Sequence, residues 1–412
     1  MPKIHQKHGQ NGYAIGPNAA IQPILESNST LNMLSYWEKQ SFTRYDHIVI
    51  GSGITGISVA IELKSAYPKS SVLVLERGLL PTGATTRNAG FASMGSAGEL
   101  LADLKTQTEE AVVDLFMRRK EGLDLLRKRL GDDGLGYRAD GSFELLTEKD
   151  LPVLEQIDYL NGLLGARLGK PVFRAANESI KRFGFSENQV AGLIENCFEA
   201  SIDSGLALKN LIALALSKGI EIKTGADVQR FDEEANEVRV VVNDPFRKTK
   251  IELCSETLSV CTNAFTKTLL PDEDILPGRG QILVTKPLPG LRFRGVFHFD
   301  AGYYYFREID GRVLFGGGRN LDFEGERTTE FSLNERIQQD LEEKLRDMIL
   351  PGQNFEIDMR WAGIMAFGPT KAPVVKAFSD RVFGAFRMGG MGIALASCAA
   401  SEVTELILSF RN

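Results

Sequence analysis

"IVIGSGITGISVAIELKSAYPKSSVLVLER", residues 48–77, has the outline of a nucleotide-binding unit. Ile48, Val49 and Ile50 form a β-branched run without alternation, the pattern of a parallel strand buried on both faces. Gly51, Gly53 and Gly56 follow as GxGxxG. The next residues read as a helix, with Ile54, Ile57 and Ile61 on one side and Val59 and Leu63 on another, until Tyr67 and Pro68 end it. Val72–Leu75 reads as a second buried strand, and Glu76 closes it 20 residues beyond Gly56. Each part has a physical task. Gly51 permits the tight turn, Gly53 lets the backbone approach a pyrophosphate, and Gly56 lets helix and strand pack closely. Ile54 and Thr55 open the helix whose N-terminus faces the phosphates, and Glu76 is placed to accept from a ribose hydroxyl. A glycine triad alone would serve a turn with no ligand. The strand, turn, helix, strand and terminal acid together point to dinucleotide binding.

Composition narrows the class of molecule around this unit. A chain of 412 residues can bury a full core and suits two intertwined domains or one large one, and 43% hydrophobic with 25% charged residues is ordinary for a soluble enzyme. The formal net charge of -6 supplies no field to attract nucleic acid. Cys197, Cys254, Cys261 and Cys398 are far apart and form no CxxC pair, so neither a zinc site nor a secreted disulfide framework is indicated. Of the four histidines, His5 and His8 sit in a polar leader, leaving His47 and His298 for any buried role. No transmembrane segment and no signal peptide is expected, so the protein reads as cytoplasmic, and residues 1–33 read as a flexible leader.

Residues 83–95, "GATTRNAGFASMG", bear on which dinucleotide is bound. A nicotinamide dehydrogenase usually continues from its second strand into another strand and helix of the same half. Here a loop of small and hydroxylated residues intervenes, suited to wrapping a rigid polar ligand, although an ordinary surface loop would read the same way.

With Gly51, Gly53 and Gly56, the strand ending in Glu76-Arg77, and "GATTRNAG", the chain resembles the D-amino-acid oxidase superfamily of flavoenzymes, which includes glycine oxidase and sarcosine oxidase. "TTRNAG", "CTNAFTKTLLP" (residues 261–271) and "LSYWEKQ" (34–40) resemble most nearly the γ-glutamylputrescine oxidase branch. The resemblance implies FAD, held by the glycine triad with Ile54 and Thr55, by Glu76 and Arg77, and by Thr85, Thr86, Arg87, Asn88, Ala89 and Gly90. It further implies a backbone contact from Val228 to the adenine, and a part for Gly363. Some relatives attach their flavin through a histidine in the loop after the second strand or a cysteine before the C-terminal strand. Arg87 falls in that loop here and no cysteine lies between Cys261 and Cys398, so non-covalent FAD is expected.

The C-terminal run reads as a strand, Val382–Phe386, entering Gly389, Gly390, Met391 and Gly392 and then a helix from Ile393. The amides and positive dipole end of such a helix suit negative charge, and relatives aim it at the edge of the flavin.

Residues 97–196 and 270–355 lack mononucleotide patterning and are expected to form a substrate domain. Residues 34–96, 197–269 and 356–412 are then the FAD-binding segments. "GYYYFREIDGRVLFGGGR" (302–319) reads as a hairpin turning at Asp310-Gly311, with Tyr303, Tyr305 and Arg307 on one face and Tyr304 and Phe306 on the other. The family uses this hairpin to floor its substrate pocket, which makes Tyr305 and Arg307 candidate catalytic residues. In amino-acid oxidases a "WAGxRP"-like stretch supplies the arginine that clamps a substrate carboxylate. This chain reads "WAGIMAFGPTKAPVV" from Trp361, with Met365 and Ala366 where Arg and Pro would stand. A methionine cannot hold a carboxylate, so the departure favours an amine over an α-amino acid.

The expected fold is α/β, a Rossmann-like FAD-binding domain with an inserted antiparallel-sheet (α+β) substrate domain. The expected reaction is oxidation of a small-molecule amine or amino-acid-like substrate by hydride transfer to flavin N5, with oxygen or another electron acceptor reoxidising the cofactor. A flavin amino-acid oxidase or dehydrogenase, and a nicotinamide-dependent dehydrogenase, are the alternatives.

Overall fold

The apolar run at Ile48, Val49 and Ile50 is the inner half of the strand Arg44–Ile50, and all three side chains are buried. The computed structural model describes residues 34–411, so the leader, with His5 and His8, lies outside the described residues. Arg44–Ile50 pairs in parallel with Val72–Leu75 on one side and with Thr249–Val260 on the other. Glu221–Lys223 and Val382–Phe386 extend this first sheet in parallel at either side. Val374–Ala377 closes one edge antiparallel, and Asp227–Glu233 and Val238–Asp244 add an antiparallel flap to Thr249–Val260. In register, Ile50 lies opposite both Leu75 and Val260. Three strands therefore end level, and their carboxyl ends bring Gly51, Glu76 and Cys261 to one edge, where ligands of open α/β sheets bind.

The helix Ile54–Ala66 stops at Tyr67, before Pro68, and packs against Gly392–Arg411. Gly392–Phe410 is long and apolar enough to cross a membrane by length and composition, which the sequence reading did not anticipate. In the fold it is a core helix. Leu395, Ala396, Ala399, Ala400, Val403 and Ile407 are buried in one cluster with residues of Ile54–Ala66 and of the helix Ser204–Ser217.

The second sheet runs in the order Ile357–Phe367, Leu276–Thr285, Arg312–Gly317, Tyr304–Ile309, Val296–Phe299, Ser142–Leu146, Gly192–Asn196, Phe173–Ala175. It is antiparallel except where Val296–Phe299 runs parallel to Ser142–Leu146, so the sheet is mixed. Its far face buries an aromatic stack in which Phe297 lies 4.7 Å from Phe306. The hairpin turns where expected, with positive φ of 51° at Asp310 and 71° at Gly311.

Two segments depart from the expected partition. Ile357–Phe367, grouped above with the FAD-binding segments, pairs along its length with Leu276–Thr285 in the second sheet. The helix Glu109–Leu135, grouped with the substrate domain, sends Leu123, Leu126 and Leu135 into the core of the first unit. Both misplacements have one cause. Periodicity reports which face of an element is apolar, not which sheet or helix covers it.

Candidate functional site

A cavity of about 820 Å³ runs from the carboxyl edge of the first sheet to the near face of the second. Its size is in the range of pockets that enclose a cofactor or a drug-sized ligand.

At one end lies the glycine turn. Gly51 has φ of +104°, and a Cβ there would sit 2.7 Å from the Cys261 carbonyl oxygen. Gly53 caps the helix without a side chain, so Ile54 and Thr55 begin it at the cavity wall, with the Ile54 amide donating to Thr85 Oγ1 at 3.0 Å. Glu76 is held rigidly beside them. Its Oε2 accepts from the Ser52 amide (3.0 Å) and hydroxyl (2.8 Å), and its Oε1 accepts from the Gly78 amide (2.9 Å). Arg77 stacks on Phe265 with its guanidinium carbon 3.7 Å from the ring centre, and Val228 completes this end.

The middle of the cavity is walled by residues 82–85 and 87–89, by Gly363 and by the turn from Met388 to Ile393. Gly389 and Gly390 adopt φ of 57° and 84°, which lets the chain leave Val382–Phe386 and open the long helix with Gly392 and Ile393 facing the cavity beside Met391. Arg87 donates to the carbonyls of Thr82 (3.1 Å) and Ala362 (2.9 Å), and its own carbonyl accepts from the Trp361 indole at 3.0 Å, tying the loop to the second sheet.

Three of the residues selected for cofactor binding face elsewhere. Gly56 packs rather than lines, since a Cβ there would lie 1.9 Å from the Gly51 carbonyl oxygen. The Thr86 hydroxyl donates to the Pro81 carbonyl at 2.6 Å within its own loop. Gly90 gives its carbonyl to Arg307. Asn88 lines the wall but also fastens the loop, donating to the Thr85 carbonyl (2.6 Å) and accepting from the Gly90 amide (2.7 Å) and the Ser204 hydroxyl (2.6 Å).

At the other end, Tyr303 and Tyr305, which alternation put on one strand face, line the cavity, and Met365 lines it with them. Burial pushes the Tyr305 hydroxyl up to about 12, so it is a neutral phenol able to donate a hydrogen bond. Arg307 is a correction. It is buried, and Nη1 donates to the carbonyls of Gly90 (2.9 Å) and Ile202 (2.7 Å), while Nε donates to that of Glu308 (3.2 Å). It braces the loop behind the cavity and does not face a ligand. Alternation gave the correct strand face, but a long side chain beside an open pair of carbonyls satisfies them first.

Several wall residues escaped the sequence reading. Arg319 enters the cavity from the end of the hairpin, flanked by Phe323 and Phe367. Lys371 sits beside the glycine turn and pairs with Glu99 (2.9 Å) and Asp103 (2.8 Å). His298 lies against Phe91 with its Nε2 3.4 Å from Glu199 Oε2, and Glu199 also accepts from Ser93, Met94, Gly95 and Ser142. Burial by itself would raise the Glu199 carboxyl. The hydrogen bonds from His298, Ser142 and Gly95 and the His298 charge outweigh it and hold the carboxyl at about 2. Burial likewise opposes protonation of His298, yet Glu199 lifts the imidazole above its ordinary value. The "GGG" before Arg319 was the one local signal available for any of these. The acidic residues are scattered over about a hundred positions and carry none.

Residues 46–406 match the family model described as FAD dependent oxidoreductase. A probable oxidoreductase, OrdL, of Haemophilus influenzae is 24% identical over 403 residues, covering 88% of this chain and 83% of its own. Among solved structures, an L-proline dehydrogenase from P. horikoshii superposes with a TM-score of 0.71 at 18% identity, covering 89% of this chain and 94% of that one. A glycine oxidase from Geobacillus kaustophilus superposes with a TM-score of 0.70 at 18% identity, over 89% of this chain and 95% of that one. At such identities the two structures speak for the fold. The chain belongs to the FAD dependent oxidoreductase family, and FAD replaces the nicotinamide alternative.

Proposed function

From that membership we propose that the chain oxidises the carbon beside the nitrogen of an amine or N-substituted amino compound, and that the resulting imine adds water and separates into a carbonyl product and an amine. The residues fit FAD. The glycine turn with Ile54 and Thr55 suits the pyrophosphate, Glu76 the ribose, Val228 the adenine, and the Gly389, Gly390 and Gly392 turn the electron-rich edge of the ring system. Bound FAD supplies the acceptor for the hydride that leaves the substrate carbon. The chain's own part is to orient and to exclude water. Tyr305, as a neutral phenol, can hold a substrate heteroatom, and Met365 and the aromatic walls keep the reacting carbon dry.

The observation that carries the substrate class is Met365. Its sulfur approaches to 3.4 Å the place where a Cβ on Gly390 would stand, in the stretch where amino-acid oxidases keep their carboxylate-clamping arginine. An α-carboxylate there would be desolvated against a methionine in place of that arginine. Non-covalent FAD remains part of the proposal. Burial pushes the thiol of Cys261, which lines the cavity, up to about 12, leaving little thiolate to attack a flavin. The electron acceptor, oxygen or another oxidant, would be assigned by oxygen consumption during turnover.

The test is anaerobic bleaching of the flavin absorbance by a panel of alkylamines, N-substituted amines and neutral α-amino acids. Amines are expected to bleach fastest. Bleaching by α-amino acids alone would return the chain to the amino-acid oxidases.

A further inference from the structure

Arg319 is held in a way that specifies what it can bind. The backbone reaches it through Gly316, Gly317 and Gly318. At Gly317 a Cβ would clash with the Tyr303 carbonyl oxygen, so a bare backbone is needed to pass beneath the tyrosine strand and begin the short helix Arg319–Leu321. The guanidinium carbon then lies 4.1 Å from the centre of the Phe367 ring and 4.8 Å from that of Phe323. The two rings meet the cation without offering a hydrogen-bond acceptor, which leaves its N–H groups to meet a partner.

The neighbouring charged groups are already paired. Glu326 accepts from Arg279 (2.7 Å), Gln281 (2.9 Å) and Asn334 (2.9 Å), and Arg327 pairs with Glu324 at 3.1 Å. Around Arg319, burial outweighs the influence of any nearby acid and draws its pKa below the ordinary value, with no side-chain hydrogen bond among the causes. A half-buried cation whose donor edge faces a cavity suits an anion brought by a ligand.

Strand register separates the two ends of this space. Gly280 and Gly278 share one face of Leu276–Thr285. A Cβ on Gly280 would stand 3.1 Å from the Met365 methyl and 3.5 Å from the Tyr305 hydroxyl, and one on Gly278 would stand 3.4 Å from Arg319 Nη1. Two residues of strand span roughly 7 Å.

We infer that Arg319 sets substrate choice by gripping a carboxylate that the amine carries several bonds away from the carbon beside Tyr305 and Met365. The inference rests on the amine-oxidation reading above. An α-amino acid bears nitrogen and carboxylate on one carbon and cannot span this distance, whereas an ω-amino carboxylate or an amine extended by an acidic group can.

The experiment compares flavin-loaded wild type with Arg319→Gln and Arg319→Lys. Anaerobic bleaching is followed with a series of ω-amino carboxylates and with n-alkylamines of matching length, and glutarate, which carries no amine, is titrated against the flavin absorbance band. Wild type is expected to favour the ω-amino carboxylates by about tenfold or more. In Arg319→Gln that ratio should collapse towards one, with alkylamine rates and flavin content unchanged, and Arg319→Lys should keep part of it. Glutarate should perturb the wild-type spectrum and lose affinity in Arg319→Gln. A preference that survives Arg319→Gln overturns the inference. If no amine bleaches either protein, the amine-oxidation reading fails, and glutarate still decides: perturbation dependent on Arg319 keeps the anion site, and equal or absent perturbation in both proteins removes it.

Discussion

Gly56 does not touch the cavity, yet replacing it with alanine should empty the cavity of FAD. The added Cβ would stand 1.9 Å from the Gly51 carbonyl oxygen, and the backbone fixes both atoms so that no rotamer change can move either. A carbon and a carbonyl oxygen settle no closer than about 3.3 Å, so the start of the helix Ile54–Ala66 must retreat by more than an ångström from the turn it caps. Overpacking of this kind costs about 1–3 kcal/mol of stability. The same shift carries the helix N-terminus away from the pyrophosphate. Losing one hydrogen bond to a charged group, at about 1.5–3 kcal/mol, weakens FAD by roughly tenfold to a hundredfold or more. The assay is the flavin-to-protein ratio after desalting, followed by titration with FAD and thermal melts at each FAD concentration. Gly162→Ala is the control, because Gly162 does not line the cavity and has nothing within 4 Å of its would-be Cβ and no positive φ. If Gly56→Ala retains FAD and melts as wild type does, the close packing of turn and helix is not what shapes the phosphate site.

Arg307→Met should lower stability by about 3 kcal/mol, because the Gly90 and Ile202 carbonyls lose a charged donor; thermal melts would show this, while KM for the amine in FAD-saturated protein stays within twofold of wild type. The Glu199 and His298 pair should make stability depend on pH at both ends. Glu199, held at about 2, contributes fully above its ordinary 4.5 and loses that contribution as pH falls through 2; His298, raised, contributes fully below its ordinary 6.5 and loses its contribution as pH rises through the higher folded value. The melting difference between wild type and Glu199→Gln should therefore be largest between those two ordinary values, where breaking a buried pair costs roughly 3–5 kcal/mol, and a difference independent of pH would disprove the ion pair. Acid precipitation should leave the yellow colour in the supernatant, and colour retained in the pellet would mean a covalent link.

What the sequence alone determined is what neighbouring residues decide among themselves. The unit from Arg44–Ile50 through Val72–Leu75 was legible because buried parallel strands lose alternation and each glycine of the triad has a separate steric task. The turn at Asp310-Gly311 and the glycine entry to Gly392–Arg411 were legible for the same reason, since positive φ admits few residue types. Tertiary structure decided everything that depends on which distant groups meet. Arg307 stood out in the hairpin sequence and Arg319 at its end did not. One is drawn to carbonyls 217 and 105 residues away, and the other is left between two rings with its donors facing the cavity. Ile357–Phe367 carries the same apolar residues in either sheet, and pairing with Leu276–Thr285 is what sets Met365 against Gly280 and the Tyr305 hydroxyl. Glu99 and Asp103, which hold Lys371, and Glu199, which holds His298, share no motif, and only folding gathers them around the cavity. Backbone conformation is encoded within a few residues, whereas the partner of a long charged side chain is chosen by the donors and acceptors that the finished fold leaves within its reach.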